Sequence, residues 1–183
     1  MTPGFKDEKT AQAAALLLQL RGGRMSYMKL IKLLYLADRC ALLKWGRPIT
    51  FDAVVSMKNG PVLSHTLNLI KRKRPSKAWR DAVTPPTGWD VALKPGHDAG
   101  TSRLSKAEVD VLKTVFKRYG HLERWELVRQ LHELPEWQDP GDSAFPISPE
   151  DILRAEGVDE KEITAILEEL DSLAHRENVF AMA

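Results

Sequence analysis

Residues 25–45 read MSYMKLIKLLYLADRCALLKW, and they form the strongest helical pattern in the chain. Apolar side chains recur at helical spacing in two stripes, so a helix here would be apolar around most of its circumference. A helix of this kind is typical of the middle of a domain. We therefore predict a buried central helix over residues 25–45, whose charges Lys29, Lys32 and Arg39 share one narrow face.

Polar residues with capping character precede several other helical patterns. Ser105 is followed three residues later by Glu108, which is the spacing of a capping box. Ser148 and Asp159 each precede an apolar run at helical spacing, and Thr10 is a candidate N-cap for the first helix. These signals predict helices on both sides of the central one.

Three short segments favour strands. Residues 54–58 are rich in β-branched side chains, residues 89–93 alternate in polarity, and residues 102–104 are a third candidate. The predicted fold class is mainly α (α+β): a compact helical domain around the buried central helix (about 25–45), with a small antiparallel β-sheet and a C-terminal helical extension.

The length of 183 residues is typical of one domain. We therefore expect a single domain over residues 1–183. Its core is expected at residues 8–138, and a link rich in proline and glycine leads to the helical extension at residues 146–178. No internal repeat is evident.

Charge is divided unevenly along the chain. Residues 1–80 contain 16 Lys or Arg against 4 Asp or Glu, whereas residues 81–183 contain 11 against 21. This division indicates either an acidic partner for the first half or two oppositely charged faces that attract each other within the fold.

Nothing in the sequence favours a membrane or export. The longest unbroken apolar run, residues 13–18, is far shorter than the roughly 20 residues that a membrane span needs. No cationic stretch followed by an apolar one begins the chain, and its one cysteine, Cys40, cannot form an internal disulfide. We expect a cytoplasmic protein with no membrane contact.

Catalytic motifs are absent from the sequence. Cys40 falls on an apolar stripe, the five histidines include no pair four residues apart, and there is no phosphate-binding Gly-rich loop or nucleophile elbow. We expect no metal, no cofactor and no enzymatic activity. A metal-free acid-base enzyme built from scattered carboxylates stays open as an alternative.

Residues 71–80 contain six basic side chains with Trp79 among them. Cations beside an aromatic ring suit an acidic protein surface or a nucleic-acid backbone. Lys71, Arg72, Lys73 and Arg74 are therefore candidate partner-binding residues, and a solvated helix end is the alternative. A nucleic-acid-binding regulator of its own operon is the second candidate function, although no segment looks like a recognition helix.

Three blocks of sequence around the central helix form an ordered set. They are MKLIKLLYLAD at residues 28–38, GRPIT at residues 46–50 and MKNGPV at residues 57–62. A second set follows in the other half of the chain: Leu104-Ser105, Tyr119-Gly120, Glu126-Leu127 and LHELPEW at residues 131–137. Together they resemble the signature of the SocA-like Panacea family over residues 14–137.

This resemblance implies an antitoxin, because members of the family are typically encoded beside unrelated toxins in bacteria and phages and neutralise them by direct contact. SocA itself is a proteolytic adaptor that presents its toxin to the ClpXP protease. The resemblance leaves both routes open here, with the cognate toxin as partner and ClpXP as a second one. The apolar tail at residues 178–183 is either a contact for that protease or a frayed terminus.

The polar members of the motifs are candidate toxin-binding residues: Lys29, Lys32, Asp38, Arg47 and Lys58. The alternative is an ion pair from Asp38 to Arg47 or Lys58 that pins the turn to the central helix.

Overall fold

The computed structural model describes residues 4–96 and 98–181. In those residues eight helices and five short strands follow one another. In chain order they are α1 (Asp7–Leu20), β1 (Arg24–Ser26), α2 (Tyr27–Trp45), β2 (Val54–Met57), β3 (Gly60–Leu63), α3 (Ser64–Ile70), α4 (Lys77–Ala82), β4 (Asp90–Ala92), α5 (Lys106–Tyr119), α6 (Arg124–His132), β5 (Phe145–Ile147), α7 (Pro149–Ala155) and α8 (Glu160–Ala181).

Helix α2 lies at the centre of the domain, as the sequence predicts. It packs against α1, α5, α6 and α7, and most of its residues are buried. It begins two residues later than expected because residues 24–26 pair as strand β1. It ends at Gly46, which adopts a left-handed conformation (φ 76°) that glycine reaches without strain.

The strands form two separate antiparallel sheets, whereas a single sheet was predicted from the sequence. Strand β1 pairs with β4, and β2 lies between β3 and β5. The expected strand at residues 102–104 is wrong, because the Leu104 amide closes a turn onto the Thr101 carbonyl at 2.9 Å. Residues 60–63 complete a hairpin with β2.

Capping predictions from local sequence are confirmed at three helices. Ser105 and Glu108 form the expected capping box at α5, and Ser148 forms another with Asp151 at α7. The Asp159 carboxylate accepts hydrogen bonds from the backbone amides of Lys161 and Glu162 in the first turn of α8. Each cap depends on residues within one turn, so sequence spacing was sufficient to predict it.

Thr10 is not an N-cap, so that prediction is wrong. Helix α1 begins at Asp7, and the Thr10 hydroxyl donates to the Lys6 carbonyl one turn back, at 2.7 Å. The apolar pattern of α1 starts at Ala11, whereas the helix extends one polar turn before it.

The C-terminal extension packs onto the central helix. Strand β5 adds to β2, α7 packs against α2, and α8 packs against α7. The Ile166 side chain lies beside Gly46, where a Cβ would be 3.3 Å away. The apolar tail at residues 178–183 is helical through Ala181, and its last two residues lie outside the described part of the chain.

Ion pairs join the basic first half of the chain to its acidic second half. Three of them connect elements far apart in sequence: Lys6–Glu177 at 2.6 Å, Lys9–Glu108 at 2.8 Å and Arg39–Glu136 at 2.7 Å. Attraction between the two halves within the fold is therefore present.

Candidate partner-binding site

Three charged side chains of α2 are buried in the protein: Lys29, Lys32 and Asp38. Lys29 is 5% exposed, and its ammonium donates to the carbonyl oxygens of Gly120 at 2.5 Å and Leu122 at 2.6 Å. Burial lowers the pKa of Lys29, and the nearby cation of Arg21 adds to this effect. Lys29 therefore fastens α2 to the link between α5 and α6.

Lys32, one turn further along α2, is fully buried. Its ammonium donates to the Pro61 carbonyl at 3.4 Å and lies beside Gly60, where a Cβ would be 3.1 Å from it. Gly60 has a φ of 94°, so both its backbone and its surroundings favour glycine. Burial without a carboxylate partner lowers the pKa of Lys32 to about 8.

Asp38 holds the segment that follows α2. Its carboxylate accepts hydrogen bonds from the amides of Ile49 and Thr50, both at 3.0 Å, and from the Thr50 hydroxyl. Burial raises the pKa of Asp38 to about 7, although these hydrogen bonds oppose the shift. The predicted ion pair to Arg47 or Lys58 is wrong, because backbone and hydroxyl donors occupy the carboxylate.

Tyr35 and Arg39 bind the segment after α6. The Tyr35 hydroxyl donates to the Glu136 carboxylate, which also accepts from Arg39 Nε at 2.7 Å. Arg39 further pairs with Glu156 at the end of α7. The sequence did not predict this network, because Glu136 lies 97 residues beyond Arg39.

Lys29, Lys32 and Asp38 thus each contact a different motif block, and Tyr35 and Arg39 together contact a fourth. Lys29, Lys32 and Asp38 were expected on a toxin-facing surface. They are not accessible to a partner, because all three side chains are buried. Single charges on a helix that is apolar around most of its circumference could have signalled an internal role, because a solvated face would carry more charges.

The other predicted site residues lie at the surface. Arg47 and Lys58 are exposed, as are Lys71, Lys73 and Arg74 in the turn after α3. Arg72 is half-buried in a left-handed conformation (φ 57°). Its guanidinium donates to the Val83 carbonyl at 2.8 Å, so Arg72 also has a structural contact.

Trp79 is not part of this basic surface. It is 1% exposed and belongs to the core, where α4 packs against α1. The expected combination of cations with an accessible aromatic ring is therefore wrong for residues 71–80, although the cations are accessible.

Two other tryptophans are exposed side by side. Trp89 is 57% exposed and Trp125 is 50% exposed, and the Arg124 guanidinium lies 5.6 Å and 5.4 Å from their ring centroids. Tyr27 stacks on Trp89 with ring centroids 5.8 Å apart. We call Tyr27, Trp89, Arg124 and Trp125 the tryptophan surface.

The backbone holds the tryptophan surface in place. The Tyr27 amide donates to the Trp89 carbonyl at 2.9 Å, beside the pairing of β1 with β4. Trp125 lies on the side of α6 away from the buried side chains of Leu127 and Leu131. This surface was not predicted from the sequence, although a tryptophan on the polar face of an amphipathic helix is a signal that could have indicated Trp125.

The sequence of this chain matches a known protein family. Residues 30–138 match the family model described as Antitoxin SocA-like, Panacea domain. The chain belongs to this family. No curated protein and no solved structure matches it.

The Panacea domain includes most of the site described above. It contains Trp89, Arg124 and Trp125, together with Lys32 and the carboxylate of Asp38. The C-terminal extension follows it. A family of antitoxins implies, in general, a cognate toxin as the partner of its members.

The described residues contain neither a candidate membrane span nor a candidate metal site. No helix there is long and apolar enough to cross a membrane. No group of three or more His, Cys, Asp or Glu side chains in residues 4–96 and 98–181 could hold a metal ion.

Proposed function

We propose that this protein is an antitoxin that neutralises a cognate protein toxin by direct contact, with the tryptophan surface at the centre of the interface. The observation that carries the proposal is the pair of half-exposed tryptophans around Arg124 in a Panacea domain. Tryptophan, tyrosine and arginine are the residues that dominate binding energy at protein interfaces.

Burial of apolar area on association favours the tryptophan surface as the interface. A tryptophan side chain can bury about 150–250 Å² on association, and exposed apolar area costs about 25 cal/mol per Å² in water. Tyr27 stacking and its hydrogen bond to the Trp89 carbonyl order one ring before binding. A partner therefore gains apolar contact at a small cost in conformational entropy.

A binding role rather than a catalytic one also accounts for the buried carboxylates. Asp38 and Asp52 both have raised pKa values because they are buried. Asp52 accepts hydrogen bonds from the His65 amide and from the Thr66 amide and hydroxyl at 2.7–2.8 Å, at the start of α3. Structural hydrogen bonds occupy both groups, so we propose no enzymatic activity.

Co-expression with the product of the neighbouring gene tests the proposal. Wild-type protein should restore growth and elute with that product in one complex. A double variant, Trp89→Ala with Trp125→Ala, should lose both properties, whereas Phe145→Ala should keep them. Phe145 is a matched control because it is also a half-exposed aromatic but lies on β5. Growth rescue without a complex would contradict neutralisation by contact.

Delivery to ClpXP is the second route for the same function, and it is distinguished by turnover of the toxin. If the protein only blocks its toxin, the toxin in the purified complex should be stable when ClpXP and ATP are added. If the protein is an adaptor, the toxin should decay only when the antitoxin is present.

Nucleic-acid binding has weaker support than protein binding. The exposed cations Lys71, Lys73 and Arg74 remain available for phosphate contacts, but buried Trp79 offers no ring for stacking there. Binding of duplex DNA from the operon, lost steeply as salt rises, would favour the regulator instead.

A further inference from the structure

A cavity of about 120 Å³ lies between the central helix and the C-terminal extension. Ala53 lines the cavity and is exposed, so the cavity reaches the surface and a small molecule can enter it. None of the described residues that line it belongs to the tryptophan surface. Most of its wall is apolar and comes from five elements: Leu42 on α2, Val54 on β2, Ile147 on β5, Ile152 on α7 and Leu170 on α8.

Four polar residues also line the cavity, and each of them is engaged within the fold. Asp38 and Asp52 accept hydrogen bonds from backbone amides and threonine hydroxyls. Tyr35 and Arg39 both donate to Glu136. The carboxylates therefore need no cationic ligand and Arg39 needs no anionic one, so the cavity favours a neutral, apolar occupant.

The volume of the cavity is suited to a single ring. An apolar cavity of about 150 Å³ in a protein stays free of water and binds benzene. The cavity described here has a similar volume, about 120 Å³. Water would gain few hydrogen bonds beside Leu42, Ile152 and Leu170, so a small apolar molecule is the better occupant.

Phe51, which also lines the cavity, has a strained backbone conformation. Its φ of 53° lies in the left-handed region, which is unfavourable for a bulky residue. Its two neighbours enforce this conformation, because the Thr50 amide donates to Asp38 on α2 and the Asp52 carboxylate accepts from Thr66 on α3. Backbone strain that the surrounding contacts maintain is concentrated at functional sites such as ligand clamps.

The Phe51 side chain is half-buried. Within the described part of the chain, it is not one of the hydrophobic side chains that pack against the core. Core packing therefore does not explain why the chain holds a strained aromatic residue at the cavity. Aromatic rings attract one another in stacked or edge-to-face pairs, so an aromatic ligand would supply the contact that Phe51 lacks.

We propose that this cavity is a binding site for a small neutral molecule with one aromatic ring, which packs against Phe51 and the apolar residues of α2, α7 and α8.

Fluorobenzene is the probe for the first test, followed by fluorine NMR with the full chain. Wild-type protein should bind it saturably. The charged rings 4-fluorobenzoate and 4-fluorobenzylamine should bind at least about tenfold more weakly, because a charge that enters an apolar cavity loses its hydration. Tighter binding of either charged ring would overturn the assignment of a neutral ligand.

Ala53→Leu tests the position of the site. It enlarges a side chain at the rim of the cavity and should weaken fluorobenzene binding by about tenfold or more. The matched control is Ala165→Leu, because Ala165 is also an exposed alanine but lies on α8 and does not line the cavity. This control should bind like the wild type. Both substitutions enlarge an exposed side chain, so folding should be preserved in each.

Phe51→Gly tests the role of the aromatic ring. It removes the ring and introduces a residue that adopts a positive φ without strain, so the variant should fold. Its affinity for fluorobenzene should fall by about tenfold or more. Absence of saturable binding by the wild type, or equal binding by wild type, Ala53→Leu and Phe51→Gly, would overturn the proposal. These measurements do not involve the toxin, so this proposal and the proposed function fail independently.

Discussion

The buried carboxylate of Glu136 accepts two hydrogen bonds from the guanidinium of Arg39, at 2.7 Å and 3.2 Å. Burial by itself would raise the pKa of Glu136, but the hydrogen bonds from Arg39 and Tyr35 outweigh it and lower that pKa. Since Arg39 also pairs with Glu156, this contact connects the central helix, the end of the Panacea domain and the C-terminal extension.

Arg39→Ala should reduce the free energy of unfolding by about 3–5 kcal/mol, because it leaves the buried Glu136 carboxylate without its cation. Urea denaturation measures the change. The control is Arg154→Ala, which removes an exposed arginine that also contacts two carboxylates and should cost much less stability, because solvent screens exposed ion pairs. Equal losses of unfolding free energy in the two variants would show that Arg39 stabilises the fold no more than an exposed ion pair does.

Asp38 should make the protein less stable as the pH rises from about 4 to 7. Its pKa is raised from 3.8 to about 7 in the folded state, so over this range the folded state binds more protons than the unfolded one. The contribution to the slope is at most about 1.4 kcal/mol per pH unit. Asp38→Asn keeps an acceptor for the Ile49 and Thr50 amides and should lack this contribution.

Denaturation of both proteins at several pH values checks the Asp38 prediction. The free energy of unfolding of Asp38→Asn minus that of the wild type should become more positive as the pH rises. It should level off above about pH 7. A constant difference would mean that the Asp38 pKa is close to its ordinary value.

Lys32 should have the opposite dependence at higher pH. Its pKa is lowered from 10.5 to about 8, so the folded state binds fewer protons than the unfolded state between these values, and stability contributed by this group rises with pH. Lys32→Met keeps most of the side-chain volume and should lose that rise. The free energy of unfolding of both proteins, measured between pH 7.5 and 10, tests this prediction. Parallel plots of that free energy against pH would contradict it.

Local sequence was sufficient for some of this fold. The apolar circumference of α2 and the capping box of Ser105 with Glu108 depend on residues within a few turns, and the structure confirms both. The partners of Asp38 and Arg39 depend on how distant segments come together, and helical periodicity carries no such information. The sheet pairing of residues 24–26 with residues 90–92 was missed for the same reason.

At the candidate site, too, features set by local sequence were predictable, and features set by tertiary packing were not. Consecutive basic side chains are rarely buried, so the exposure of Lys71 and Lys73 could be expected from the sequence. Whether an aromatic side chain is buried depends on the face of its helix that the core covers. Trp79 therefore looked accessible although it is buried, whereas Trp125 was overlooked although it is half-exposed.

Reversing the charge of Lys71 and Lys73 should slow association with the toxin by about tenfold at low salt and reduce its salt dependence, because rim charges act mainly on the association rate. Arg72 and Arg74 are left unchanged, since Arg72 binds the Val83 carbonyl and Arg74 lies over the Phe5 ring. Surface plasmon resonance measures both rates. Unchanged kinetics would show that the run is a solvated helix end.

The dissociation constant of the complex with the neighbouring gene product tests the central claim most directly, measured by calorimetry for wild type, Trp125→Ala and Phe145→Ala. Both substitutions remove a half-exposed aromatic side chain, so folding should be preserved in each. If the tryptophan surface is the centre of the interface, Trp125→Ala should raise the dissociation constant by about 30-fold or more, and Phe145→Ala by no more than about twofold. Equal dissociation constants for wild type and Trp125→Ala would contradict the account.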